Sequence, residues 1–218
     1  MRLTPILLAT AIGGALAASA VIAQGQGTKR VRISYQNLTT GQPFSPSVFM
    51  SHNAGTPKLY AMGAKASPGL ARLAEDGNVA PIADMAGKMM GRAVGSSDIG
   101  LPTMPGKTGS VVVEVSRSHP MISGAWMLSH TNDGFTGITG INAYDMRGPQ
   151  TINVGALDAG SEKNNERRAY LVGLMGIARD PDGAAIGRHT GIRGNADAPA
   201  AWKFDPKKPV ARVTITPL

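Results

Sequence analysis

Three acidic residues lie in stretches of turn-forming residues, where carboxylates can bind a hard cation. Asp133 belongs to the segment SHTNDGFTGITG and stands between Asn and Gly, directly after a stretch that is typical of a strand. Asp158 and Glu162 lie four positions apart in LDAGSEKN, with only Ala, Gly and Ser between them. A loop of small residues can curl and direct both carboxylates to one point. Calcium takes about six to eight oxygen ligands from carboxylates, carbonyls and water.

The same three acids also have an ordinary interpretation. Asn-Asp-Gly is common turn chemistry, because all three residues tolerate unusual backbone angles. Asp158 can cap a turn, and Glu162 can be a solvated charge. Spacing alone therefore leaves two interpretations open, a set of turn residues or a set of calcium ligands.

The sequence gives little support for a catalytic site or a zinc site. The chain has no cysteine, which excludes thiol nucleophiles and zinc–thiolate sites. Its four histidines form no HExxH pair, and no G-x-S-x-G segment is present. A carboxylate pair for glycoside cleavage stays open, although aromatic residues make up only 5% of the chain. We therefore predict that the protein is not an enzyme. The acids that such a pair could draw on are Glu75, Asp76, Glu114 and Glu166.

The N-terminus has the pattern of an export signal. Residues 1–23 contain a single Arg2, an apolar stretch and a small-x-small ending at Ala23, after which cleavage is expected. An uncleaved anchor is the alternative. We predict a flexible segment over 24–30, one domain over 31–218, and no transmembrane span after cleavage. Export without cysteine favours a bacterial protein that is periplasmic or secreted.

The formal net charge of +8 is spread along the chain. Nucleic-acid binding needs a basic face interleaved with aromatic rings, and neither a basic run nor enough aromatic residues is present. The excess charge instead favours solubility or an anionic envelope polymer as partner.

Alternating apolar residues predict short antiparallel strands. Val31, Ile33 and Tyr35 alternate with polar residues, as expected for a half-buried strand. Similar strands separated by Gly, Pro and Asn turns indicate an all-β fold, an antiparallel β-sandwich. Further strands are expected over 47–52, 109–118, 121–130 and 207–216.

One region has helical spacing instead. Ser67 is a predicted N-cap followed by proline, and Gly77 is the predicted stop of a helix over 67–78. A second helix is expected over 79–93, and both are expected to bridge one end of the sandwich. Its methionines predict an adaptable cover over the core rather than a cofactor site.

Several ordered stretches resemble the spondin N-terminal domain family, particularly its bacterial members. They are VRISYQNLTTGQPFSPSVFMSH, ASPGLARLAEDGN, WMLSHTNDGFTGI, LDAGSEKNNE and PVARVTI, and together they span about residue 31 to the end. The resemblance implies a C2-like antiparallel β-sandwich that binds calcium at loops on one end. It assigns the metal ligands to Asp133, Asp158 and Glu162.

The resemblance also implies a role. Animal members of the family are extracellular-matrix proteins that act in adhesion and cell guidance, although they carry additional modules and cysteines that this chain lacks. We therefore expect an exported, non-catalytic binding or adhesion module whose partner is an extracellular or envelope ligand, either an anionic polymer or a protein. The alternatives are a structural envelope component whose metal only locks the fold, and a hydrolase on the same scaffold.

Overall fold

Two packed antiparallel sheets form the framework of the described part of the chain, which confirms the predicted all-β sandwich. The computed structural model describes residues 27–194 and 196–218. The expected signal at 1–23 lies outside the described residues. The first sheet has the strand order β4 (Thr108–Val115), β1 (Lys29–Asn37), β10 (Ala211–Pro217) and β7 (Gln150–Val154). The second sheet has the order β3 (Val94–Gly100), β2 (Ser47–His52), β5 (Met121–Met127), β6 (Gly134–Asn142), β8 (Leu157–Asp158) and β9 (Gly187–Arg188).

The core between the sheets is built around one tryptophan. Trp126 of β5 is fully buried, and its ring lies 5.2 Å from the ring of Tyr35, 5.8 Å from Phe44 and 5.6 Å from Phe49. Tilted aromatic pairs at such distances add to the stabilisation that burial of their area provides. Because β1 exposes only one of its faces, its apolar residues alternate as the sequence predicted.

Two helices cover the outer face of the second sheet. They are α1 (Pro68–Asp76) and α2 (Ala80–Lys88). The prediction that they bridge one end of the sandwich is wrong, because Leu70 and Leu73 of α1 pack with Val48 of β2 in a second core. Strand β2 is buried along its whole length, so both of its faces need an apolar cover. Among the described residues, no helix is both long and apolar enough to cross a membrane.

The chain enters the fold earlier than predicted. Lys29 and Arg30 belong to β1, where they pair with Val115 and Glu114 of β4. The expected flexible segment 24–30 is therefore wrong at its end, because backbone pairing with β4 fixes these two residues. Residues 24–26 lie outside the described part of the chain. Strand β3 was not predicted from the sequence.

Helix α1 begins at the predicted cap. The Ser67 hydroxyl accepts a hydrogen bond from Leu70 N at 3.2 Å, and Gly77 ends the helix with a left-handed φ of 71°. We expect Ser67→Ala to lower the free energy of unfolding by about 1 kcal/mol, because one N–H of the first turn loses its acceptor. Chemical denaturation measures the change. Ser67→Asp keeps an acceptor and is the matched control, so equal stability of the two variants would contradict the role of the cap.

Candidate metal centre

Asp133 closes the hairpin turn between β5 and β6. The turn is held by Leu128 N, which donates to Gly134 O at 2.8 Å, and by Gly134 N, which donates to Thr131 Oγ1 at 2.8 Å. Gly134 then pairs with Asp158 of β8 in the sheet. The turn therefore places Asp133 beside the segment that carries the other two predicted acids.

The Asp133 side chain joins these two segments. It is 0% exposed, and its Oδ2 accepts hydrogen bonds from Ser161 N at 2.8 Å, Ser161 Oγ at 3.2 Å and Glu162 N at 3.0 Å. Its other oxygen, Oδ1, is buried and has no hydrogen-bond partner among the described residues. One carboxylate oxygen thus fixes the backbone of the second segment, while the other is left without a partner.

Glu162 is also buried with unused oxygens. It is 1% exposed, and neither of its carboxylate oxygens has a hydrogen-bond partner within the described chain. The Arg179 Nε lies 3.4 Å from Glu162 Oε1, which is an ion pair without a hydrogen bond. The same guanidinium is shared with Glu75 at 3.2 Å and Asp76 at 2.9 Å, both near the end of α1. Arg179 therefore compensates the Glu162 charge only in part.

The pKa values of both buried carboxyls reflect this lack of partners. Burial, together with the nearby Asp158 charge, raises the pKa of Asp133 to about 6 against the lowering effect of the Glu162 and Ser161 hydrogen bonds. Burial raises the pKa of Glu162 to about 7, although the Arg179 charge opposes the shift. Each group is consequently harder to ionise in the folded protein than in the unfolded chain.

Asp158 lies beside this pair but is differently engaged. Its Oδ1 accepts a hydrogen bond from Gly160 N at 2.7 Å, and its Oδ2 accepts one from Asn164 Nδ2. Over residues 27–194 and 196–218, no group of three or more His, Cys, Asp or Glu side chains is arranged to hold a metal ion. The fold therefore brings Asp133 and Glu162 together, and it places Asp158 next to them with both oxygens already bonded.

Glu166, which the sequence offered only as an acid for a carboxylate pair, supports the turn that carries Asp133. Glu166 is buried at a left-handed φ of 56°, and its carboxylate accepts hydrogen bonds from Arg193 N at 2.6 Å and Gly194 N at 2.7 Å. Its backbone N donates to Asn132 Oδ1 at 3.4 Å. These bonds join positions about 30 residues apart, so no local motif announces them.

His189 is a further buried group near the turn. Its Nδ1 accepts a hydrogen bond from Gly191 N at 2.9 Å, so the proton of the neutral ring is on Nε2. Burial lowers the pKa of His189 to about 4, against the raising effect of the Asp158 and Glu166 charges. The neutral ring packs against the turn, since a Cβ on Gly134 would come within 2.9 Å of its Cδ2.

No family model matches this chain, and no curated protein matches it in sequence. The resemblance to the spondin domain therefore rests on the ordered motifs alone and stays a prediction.

Proposed function

We propose that this protein is an exported calcium-binding β-sandwich that acts as a non-catalytic binding or adhesion module. The observation that carries the proposal is a pair of buried carboxylates, Asp133 and Glu162, with three oxygens between them that have no hydrogen-bond partner in the described chain. The two residues belong to segments that must be held together at one edge of the second sheet.

Burial of such carboxylates is costly unless a cation or hydrogen-bond donors compensate them. The donor set consists of hard oxygens, which suits calcium rather than a soft metal. Asp133 Oδ1 and the Glu162 carboxylate are the residues that would hold the ion. Asp158 is the third candidate, and it would have to exchange its hydrogen bond from Asn164 for the ion.

Calcium would supply charge neutralisation and a cross-link between two segments. This chain's own residues already provide the frame, because Asp133 Oδ2 accepts three hydrogen bonds from Ser161 and Glu162. An ion that binds only the folded state stabilises it by about 2.7 kcal/mol at a hundredfold excess over the Kd. The net charge of +8 favours an anionic partner on the surface of the module.

Calorimetric titration of calcium into the metal-free protein tests the proposal. We expect saturable binding in the wild type, and a loss of at least tenfold in affinity in Asp133→Asn and in Glu162→Gln, because each removes one anionic ligand. Asp158→Ala should weaken binding as well if that residue becomes a ligand. Glu114→Gln is the control, since Glu114 is an exposed acid on β4. Absence of binding heat in the wild type, with no shift of its unfolding midpoint, would contradict the proposal.

The structural alternative follows from the same two acids. The raised pKa values keep both carboxyls largely neutral only below about pH 6, so in mildly acidic surroundings the fold can persist with protons in place of a metal. In that case the protein would be an inert envelope component, and calcium would leave its stability unchanged.

The hydrolase alternative has less support. Glu75 and Asp76 share Arg179, while Glu166 accepts two backbone hydrogen bonds. Asp133 and Glu162 have raised pKa values, but both are buried and present no surface to a substrate. We accordingly favour a binding role.

A further inference from the structure

A cavity of about 220 Å³ lies between α2, the segment 56–59 and the outer face of the second sheet. Its floor includes the buried side chains of Met50 and His52 on β2 and of Ser123 on β5. The exposed residues Pro57 and Lys58 also line it and so mark its opening. The cavity is therefore a pocket with a buried floor and a solvent-facing mouth.

The polar groups of the floor satisfy one another. His52 Nδ1 lies 2.8 Å from Asn53 O, so Nδ1 donates and Nε2 is left as an acceptor. Ser123 Oγ lies 2.8 Å from that Nε2 and donates to it, and it accepts a hydrogen bond from Gly140 N at 2.9 Å. The donors of the floor are therefore already engaged within the protein, which favours an occupant whose buried end is apolar.

Methionine sulfurs give the walls their chemical character. Met50 of β2, Met85 of α2 and Met89, which directly follows α2, line the same cavity. Thioethers adapt to the shape of an occupant and make favourable contacts with aromatic rings. The volume exceeds that of the roughly 150 Å³ apolar cavity known to admit benzene. An aromatic ring with a short substituent thus fits both the walls and the size.

The mouth determines the sign of the occupant's charge. Lys58 is the one cation among the cavity-lining residues of the described chain, and no acidic side chain lines the cavity with it. Lys58 also forms no ion pair with any described residue. An anionic group at the mouth would meet a charge that is not already neutralised.

We propose that this cavity binds a small aromatic monocarboxylate, with its ring among Met50, Met85 and Met89 and its carboxylate beside Lys58. The site is independent of the candidate metal centre. Ser67 at the start of α1 lines the cavity, whereas Asp76 at the other end of α1 contacts Arg179 beside Glu162. Nine helical residues span roughly 13 Å, so binding should be the same with and without calcium.

Titration with 3-phenylpropanoate, followed by calorimetry and protein NMR on the calcium-free protein, tests this proposal. We expect saturable binding of one molecule per chain. Lys58→Gln should weaken binding of the acid by about two- to fivefold, which is the contribution of an exposed ion pair. The neutral analogue 3-phenylpropanol should bind wild type and Lys58→Gln equally. Lys107→Gln is the matched control, because Lys107 is an exposed lysine that does not line the cavity.

A cavity-filling variant gives a second, independent test. Met89→Trp places an indole into the cavity from the end of α2 and should abolish binding of both probes, with its fold checked by the unfolding midpoint. Equal affinity of the acid for wild type and Lys58→Gln would overturn the charge assignment. Absence of saturable binding of either probe to folded wild type, or full binding by folded Met89→Trp, would overturn the cavity as the site. All of these measurements use the calcium-free protein, so their results do not test the proposed calcium site.

Discussion

The Asp133 and Glu162 carboxyls should make the metal-free protein less stable as the pH rises from about 4 to about 7, against an opposing contribution of His189, whose lowered pKa adds stability up to about pH 6.5. Burial raises the pKa of Asp133 to about 6 and that of Glu162 to about 7, above the values of about 4 expected in the unfolded chain. Between these values the folded state binds more protons than the unfolded state, so the free energy of unfolding decreases with rising pH. The full effect is on the order of 3 kcal/mol for each carboxyl, measured by chemical denaturation across this range.

Calcium should prevent this loss of stability at rising pH. An ion held by Asp133 and Glu162 replaces the protons that stabilise the metal-free protein, so calcium binding should release protons and flatten the pH dependence above about pH 6. The double variant Asp133→Asn, Glu162→Gln mimics the neutral carboxyls. It should have an unfolding free energy that lacks the carboxyl contribution to this loss and that does not respond to calcium.

Two results would separate the alternatives. A pH-dependent loss of stability that calcium does not reverse would favour the structural component with protonated acids. The second result concerns the change in unfolding free energy between pH 4 and 7. If this change were the same in the wild type and in the double variant, the two carboxyls could not be buried and poorly compensated in the folded protein.

Trp126→Ala should lower the free energy of unfolding by about 3–5 kcal/mol. The side chain is fully buried, and it contacts the rings of Tyr35, Phe44 and Phe49, so its removal leaves a cavity between the two sheets. The indole Nε1 has no hydrogen-bond partner among the described residues. Trp126→Phe should therefore cost clearly less than the alanine variant, because it loses ring area without breaking a hydrogen bond.

The second tryptophan provides the control for this prediction. Trp202 is half-buried, and its ring stacks on His130 with centroids 3.7 Å apart. Trp202→Ala should cost about 1 kcal/mol, the order expected for a ring pair near the surface. Denaturant unfolding followed by circular dichroism compares the two variants. Similar losses from both would contradict the central place of Trp126 in the core.

Much of the fold could be predicted from short-range patterns. Strand β1 has one buried and one polar face, so Val31, Ile33 and Tyr35 alternate visibly in the sequence. Helix α1 has both of its end signals, the Ser67 cap and the Gly77 stop. These features depend on residues within a few positions of one another, which is why propensity and periodicity suffice to find them.

Short-range patterns did not predict strand β3 or the place where the two helices pack. The sequence VGSSDIG of β3 has no alternation and two glycines, and it is a strand because the backbone of β2 pairs with it at the sheet edge. The helices lie on a sheet face because β2 and β5 are buried on both faces. The apolar sequences of β2 and β5 indicate that both faces of these strands are buried, but they do not indicate which element packs on the outer face.

For the candidate metal centre, too, some features follow from the local sequence and others only from the tertiary structure. The sequence by itself predicted the turn at Asp133, since turn residues act locally. The predicted loop shared by Asp158 and Glu162 is wrong at its start, because Asp158 belongs to β8 and pairs with Gly134. Only the tertiary structure decided that Asp133 and Glu162 are buried together, that Arg179 stands beside Glu162, and that Asp158 is bonded to Asn164. The physical reason is distance along the chain. Asp133 accepts its hydrogen bonds from residues 28 and 29 positions away, and burial, which sets the pKa values, exists only once the sheets have packed.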